Sequence, residues 1–142
     1  MKIFLGYCFI IVSIFLSIKD ISLKEDHRIK VIKFMYVNEY PLDYGEKMFW
    51  DNAEEEHAIM YTNAFDIKGI VQNLPNYKSK TFKDYTYCFL QPKGNKYDTI
   101  YSDSSLKEFI IKKNGKKTFY YDKEGKLATD LRYNYSFFRE CW

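Results

Sequence analysis

The sequence predicts an α+β protein: an N-terminal hydrophobic helix, then one small domain built on an antiparallel sheet of about five strands with one or two helices on one face. Three observations lead there. Residues 3–18 form an uncharged apolar run, and everything after it is mixed and charged. Short stretches rich in β-branched and aromatic residues alternate with turn residues, and one turn is an Asn114-Gly115 pair at hairpin spacing. Only residues 63–74 and the tail from Gly125 carry helical spacing.

The apolar run, IFLGYCFIIVSIFLSI, is sixteen residues long. A secretory core needs roughly 7–15 apolar residues and a spanning helix about 20. Met1-Lys2 before it suits a signal, whereas Lys19 and Asp20 sit where a cleavage motif wants small neutral side chains. Residues 1–22 are therefore read as a signal peptide or single-pass membrane anchor, with residues 3–18 meeting the membrane, and residues 23–142 as one globular domain. Basic residues after the run (Lys19, Lys24, Arg28, Lys30) favour a cytoplasmic domain. Having almost nothing before the run favours export, which is the preferred reading. The expected location is the cell envelope or an extracytoplasmic space.

Composition is globular: 46% hydrophobic, 29% charged, with 14 Tyr, 12 Phe and only three Pro, too apolar for a disordered chain. A net charge of +3 is far from the basic stripe of a nucleic-acid binder, so no nucleic-acid partner is expected.

Along the domain, residues 28–37 (RIKVIKFMYV) read as a strand closed by Pro41. Residues 42–56 read as a loop or irregular edge, with a short helix capped by Asp51 as the less favoured option. Residues 57–62 (HAIMYT) read as a strand. Asn63 opens a helix to Leu74, with Ile67, Ile70, Val71 and Leu74 on one apolar stripe and Pro75 as its stop. Residues 81–90 alternate as a strand, residues 91–95 are a turn cluster, and residues 97–102 return antiparallel. Residues 107–122 form a two-residue hairpin whose Asn114-Gly115 turn sets Lys113 opposite Lys116, Lys112 opposite Lys117 and Lys107 opposite Asp122. The tail reads as a helix of about ten residues from Gly125, then an extended aromatic end.

Candidate sites each have a plainer explanation. Lys112, Lys113, Lys116 and Lys117 put like charges face to face, so they must splay into water or find an anion. They are a candidate anion-binding tip, or a solvated tip that keeps a hairpin edge from aggregating. Cys88 and Cys141 are a candidate disulfide if the domain is exported, and otherwise two buried thiols. Cys88 with His57 could serve a thiol enzyme or small hydrolase, but no glycine or helix start activates Cys88. Asp84, Asp98, Asp103 and Asp130 offer carboxylates for acid–base work at uninformative spacing. His57 beside Glu54–Glu56 lacks a second ligating histidine, so neither a metal nor a cofactor is expected. The aromatic excess fills a core more simply than it builds a stacking surface, with Trp50 and Trp142 expected outside.

The reading that best fits is an exported or membrane-anchored domain acting as a non-catalytic protein-interaction module, its partner unknown. That reading requires an exposed apolar-aromatic patch. The alternatives are a small hydrolase or thiol enzyme using Cys88 and His57, and a cytoplasm-facing anchored domain with its lysine tip near anionic lipid.

Overall fold

The computed structural model describes residues 27–35, 45–51, 57–78, 82 and 84–139. The 1–22 segment, Cys141, Trp142 and Glu54–Glu56 lie outside the described residues. The strands are β1 (Ile29–Phe34), β2 (His57–Thr62), β3 (Tyr87–Lys93), β4 (Lys96–Ser102), β5 (Glu108–Lys113) and β6 (Lys116–Tyr121). The helices are α1 (Glu46–Asp51), α2 (Ile67–Gln72) and α3 (Lys126–Asn134), followed by a 3-10 turn at Ser136–Phe138.

All six strands form one antiparallel sheet in the order β2-β1-β3-β4-β5-β6. Strands β3 to β6 are a meander. The connection from β2 to β3 carries α2 and crosses β1, because β1 lies between those strands. The architecture is therefore α+β, with one strand more than the five expected.

Side-chain alternation divides the core in two. Val31, Phe89, Ile100 and Ile111 run across four strands on one face, under Ile67 and Val71 of α2 and Leu127, Ala128 and Leu131 of α3. Phe138 caps that cluster, its ring stacked on Phe89 at 5.9 Å. Lys33 holds the 3-10 turn in place by donating to the carbonyls of Phe137 (3.3 Å) and Arg139 (3.2 Å). On the other face Ile32, Cys88, Tyr101 and Ile110 form the matching row, and Phe49 of α1 packs edge-on to Tyr101 at 6.0 Å. Helices thus cover both faces, not one.

Local chemistry explains most boundaries. Asn114 (φ 49°) and Gly115 (φ 77°) both take left-handed φ, and the hairpin register follows as expected, including a bond from Asp122 N to Lys107 O at 2.8 Å. The α2 helix is shorter than expected. Asp66, not Asn63, is its cap, and its carboxylate accepts from Gly69 N at 3.0 Å. A Cβ on Gly69 would lie 2.5 Å from that carboxylate, which is why glycine sits inside a helix here. Gly125, in left-handed φ (67°), is the N-cap of α3, and the Asp122 carboxylate three residues before it accepts from Gly125 N (3.0 Å) and Leu127 N (2.8 Å).

Three other expectations are corrected. Residues 46–51 are a helix rather than a loop, with Asp51 its last residue, and the less favoured helix starting at Asp51 falls on residues 52–56, outside the described residues. Strand β3 begins at Tyr87 and runs through Pro92, so the turn shrinks to Gly94-Asn95. Pro92 is tolerated because β1 pairs with β3 only as far as Leu90, leaving no ladder that needs its missing N–H. The tail after α3 closes as a 3-10 turn rather than extending.

Candidate functional site

A well-formed concavity lies where α2 and α3 share one face of the sheet. On α2 the stripe divides: Ile67 and Val71 are fully buried, while Ile70 is 39% exposed. On α3, Leu127 and Leu131 are buried. Between them opens a groove of about 690 Å³ lined by Phe65, Ile70, Leu74, Leu127, Leu131 and Tyr135. That is within the usual size of ligand and peptide pockets. Phe65 and Tyr135 meet edge to face at 5.6 Å at the groove wall.

Several of the polar groups around this groove are occupied with each other or with backbone. Both Asp122 oxygens accept from the first turn of α3. Lys126 pairs with Glu124 at 2.6 Å, and Asn134 donates to the Asp130 carbonyl at 2.8 Å. They form a rim of mixed sign about an apolar floor. Such a surface suits desolvation of an apolar side chain more than acid–base work.

A second polar centre lies across the sheet. Lys112 and Lys117 face each other on β5 and β6, on the side covered by α1. Glu46, the first residue of α1, sits between them. Its Oε1 accepts from Lys112 and from the Tyr101 hydroxyl at 2.9 Å, and its Oε2 pairs with Lys117 at 2.8 Å. Lys117 also donates to the Tyr85 hydroxyl at 3.1 Å, and Trp50 Nε1 donates to Tyr101 at 2.8 Å. Partial burial pushes the Glu46 carboxyl up, but the hydrogen bonds from Lys112, Lys117 and Tyr101 outweigh it and hold the group at about 2. Burial pushes the Tyr101 phenol well above its ordinary range. For Lys117 burial acts downward, and its bonds to Glu46 and Tyr85 reverse the sign, leaving it raised.

Of the four tip lysines, then, Lys112 and Lys117 bind a carboxylate of the same chain, whereas Lys113 and Lys116 are exposed beside the turn. Trp50 is 37% exposed but is tied to Tyr101, so it is an element of this network rather than a free ring.

The structure does not bring Cys88 and His57 together. Cys88 lies on β3 opposite Ile32, and His57 lies on β2 opposite Phe34, with β1 between them. Two strand spacings alone separate their backbones by roughly 10 Å. The His57 side chain is outside the described residues. Cys88 is a free, fully buried thiol, and burial, with the Glu46 charge behind it, pushes its pKa far up. The aspartates lie apart by element, Asp84 and Asp103 at one loop, Asp98 on β4 and Asp130 on α3. Asp84 accepts from Ser104 N and Oγ, Asp103 from Lys107 N and Glu108 N, and Asp98 pairs with Lys68 at 2.5 Å. Asp130 lies on α3 at the groove. Among the described residues no group of three or more His, Cys, Asp or Glu could hold a metal ion, and no helix is long and apolar enough to cross a membrane.

Sequence reasoning missed Glu46, because nothing local ties a loop glutamate to lysines more than sixty residues away. It also missed the open side of α2, since a four-residue apolar stripe does not say which member faces out. It missed Lys93 and Lys96 too, although Lys93-Gly94-Asn95-Lys96 sets two lysines about a two-residue turn just as Lys113-Asn114-Gly115-Lys116 does. No family model, curated protein or solved structure matches this chain.

Proposed function

We propose that this chain is an exported or membrane-anchored, non-catalytic binding module that receives an apolar segment of a partner protein in the groove between α2 and α3. The observation that carries this reading is the groove itself: about 690 Å³ with an apolar floor, and Ile70 left 39% exposed on a helix whose other stripe residues are covered. An apolar-aromatic patch of this kind is the expected mark of a docking surface. Two features at the rim support binding over catalysis: Lys126 pairs with Glu124, and the Asp122 carboxylate is taken up by backbone N–H groups at the start of α3. The membrane part of the proposal rests on the apolar run at residues 3–18.

A photo-crosslinking side chain placed at Ile70 of the full-length chain, in its own membranes, tests the groove. The expected result is one discrete protein adduct that is absent when the same group is placed at Lys47, whose side chain is 88% exposed on α1 across the sheet. Leu74→Asp is expected to abolish the Ile70 adduct while circular dichroism stays unchanged. Equal labelling from Ile70 and Lys47, or none from either, would overturn the proposal.

A further inference from the structure

We propose that the turn end of the sheet is a headgroup-binding surface, and that it seats the domain on the anionic phospholipids of the membrane in which the chain is anchored. This rests on the membrane reading of residues 3–18. It concerns a different surface from the groove.

Four lysines converge at that end. Lys93 faces Lys96 across the β3–β4 turn, and Lys113 faces Lys116 across the β5–β6 turn. The four strands are consecutive in the sheet, so the lysines sit on neighbouring strands at one end of it, the Lys93–Lys96 pair one two-residue step further out than the Lys113–Lys116 pair. By two-residue alternation all four belong to the same face, as continuations of the rows that hold Phe89, Ile100 and Ile111. All four are exposed. Like charges placed directly opposite one another destabilise a hairpin, and here two adjacent hairpins do it together. The contrast with Lys112 and Lys117 is direct, because that pair has Glu46 between it. A recess of about 220 Å³ opens between the two turns, lined by Lys93, Lys96, Tyr97, Asp98, Lys112, Lys113 and Asn114. Among the described residues Asp98 is the carboxylate that lines the recess with these lysines, and it is bound to Lys68 at 2.5 Å. Tyr97 at its lip is 56% exposed, an amphipathic ring of the kind enriched at bilayer interfaces.

The position of the chain's start chooses the occupant. Lys30 pairs with Leu90, so β1 begins at the end of the sheet where β3 finishes, beside these turns. Residues 19–26 are all that separate the apolar run from His27. Even fully extended, eight residues span no more than about 28 Å. An anchor at residues 3–18 therefore tethers the domain by its lysine-bearing end and keeps that end close to the headgroups. The same ammonium row would fit an acidic protein, but an acidic protein does not account for the tether leaving from this end.

The test uses the full-length chain inserted into vesicles of phosphatidylcholine alone or of phosphatidylcholine with phosphatidylglycerol. Amine acetylation is read residue by residue by mass spectrometry, with Lys47 and Lys126 as exposed references. In the anionic vesicles, acetylation of Lys93, Lys96, Lys113 and Lys116 is expected to fall by about fivefold relative to the references, the factor that headgroup attraction gives per ammonium, and to recover in high salt. The double variant Lys93→Gln, Lys96→Gln is expected to return Lys113 and Lys116 to most of their original labelling. Carbonate extraction reads the anchor separately. Carbonate-resistant chain with equal labelling in both vesicle types overturns the surface while leaving the anchor. Protection that requires an added acidic protein also overturns it. Chain stripped by carbonate removes the anchor, and the surface then stands only if protection persists in the anionic vesicles.

Discussion

Val31, Phe89, Ile100 and Ile111 lie side by side under two helices and an aromatic turn, whereas among the described residues the matching row of Ile32, Cys88, Tyr101 and Ile110 lies under one helix of six residues. The first face is held by apolar burial, and the side chains that do it repeat at helical and strand periods. The second face is held by an aromatic cluster of Phe34, Phe49, Tyr85 and Tyr101, and by a carboxylate that binds two lysines and a phenol. A helix of six residues has no stability of its own in water. So α1 exists because of what it touches, while α3 has caps, spacing and length to support it.

The largest expected effect is on the first face. Phe89 is fully buried and stacked on Phe138, and Phe89→Ala should cost about 4 kcal/mol by chemical denaturation. Phe49→Ala should cost less, about 3 kcal/mol, because α1 can detach while the sheet stays folded. Hydrogen exchange separates the cases: α1 amides should lose protection in the Phe49 variant and β3 amides should not. Equal loss in both elements would mean that the two faces are one cooperative unit.

Glu46→Gln should cost about 1–2 kcal/mol, since it leaves Lys112 and Lys117 facing each other at a partly exposed site. The same group sets an acid dependence. Its carboxyl is lowered from 4.5 to about 2, so its contribution is complete above pH 4.5 and is lost as pH falls toward 2. Stability measured between pH 5 and pH 2 should drop less steeply in Glu46→Gln than in the parent chain. An identical slope would remove Glu46 from its place in the comparison.

Asp122→Ala should cost about 1 kcal/mol through loss of the hydrogen bonds its carboxylate accepts at the start of α3, and should raise exchange in the first turn of α3 without affecting α1. The smallest effect is chemical. Cys88 should resist thiol reagents in the native chain, because burial raises its pKa and seals it. It should label fully once the chain is denatured without reductant. Failure to label then would point to a bridge with Cys141.

What could be read from the sequence follows the same division. The α+β class, the 57–62 strand, the Asn114-Gly115 register and the start of α3 depend on spacings of a few residues, and all were legible. Pro92 misled because a proline normally ends a strand, and only the early end of β1 pairing makes it harmless. The Asn63–Leu74 stripe was legible as a helix but not as a groove wall, because Ile70 faces out only by virtue of where α3 lies. The lysine tip was legible as a charge problem. Its solution was not, because the answering carboxylate is Glu46, |i−j| = 66 from Lys112.

By itself the sequence determined the apolar run at residues 3–18, the turn chemistry and the two-residue and helical periods, because each is a matter of neighbouring side chains sharing one backbone conformation. Tertiary structure alone decided that residues 46–51 coil, that Lys112 and Lys117 share the Glu46 carboxylate while Lys93, Lys96, Lys113 and Lys116 are left exposed, and that α2 and α3 stand apart by a groove. Those outcomes depend on free energies of contact between groups far apart in the chain, and such contacts exist only once the sheet has brought them together.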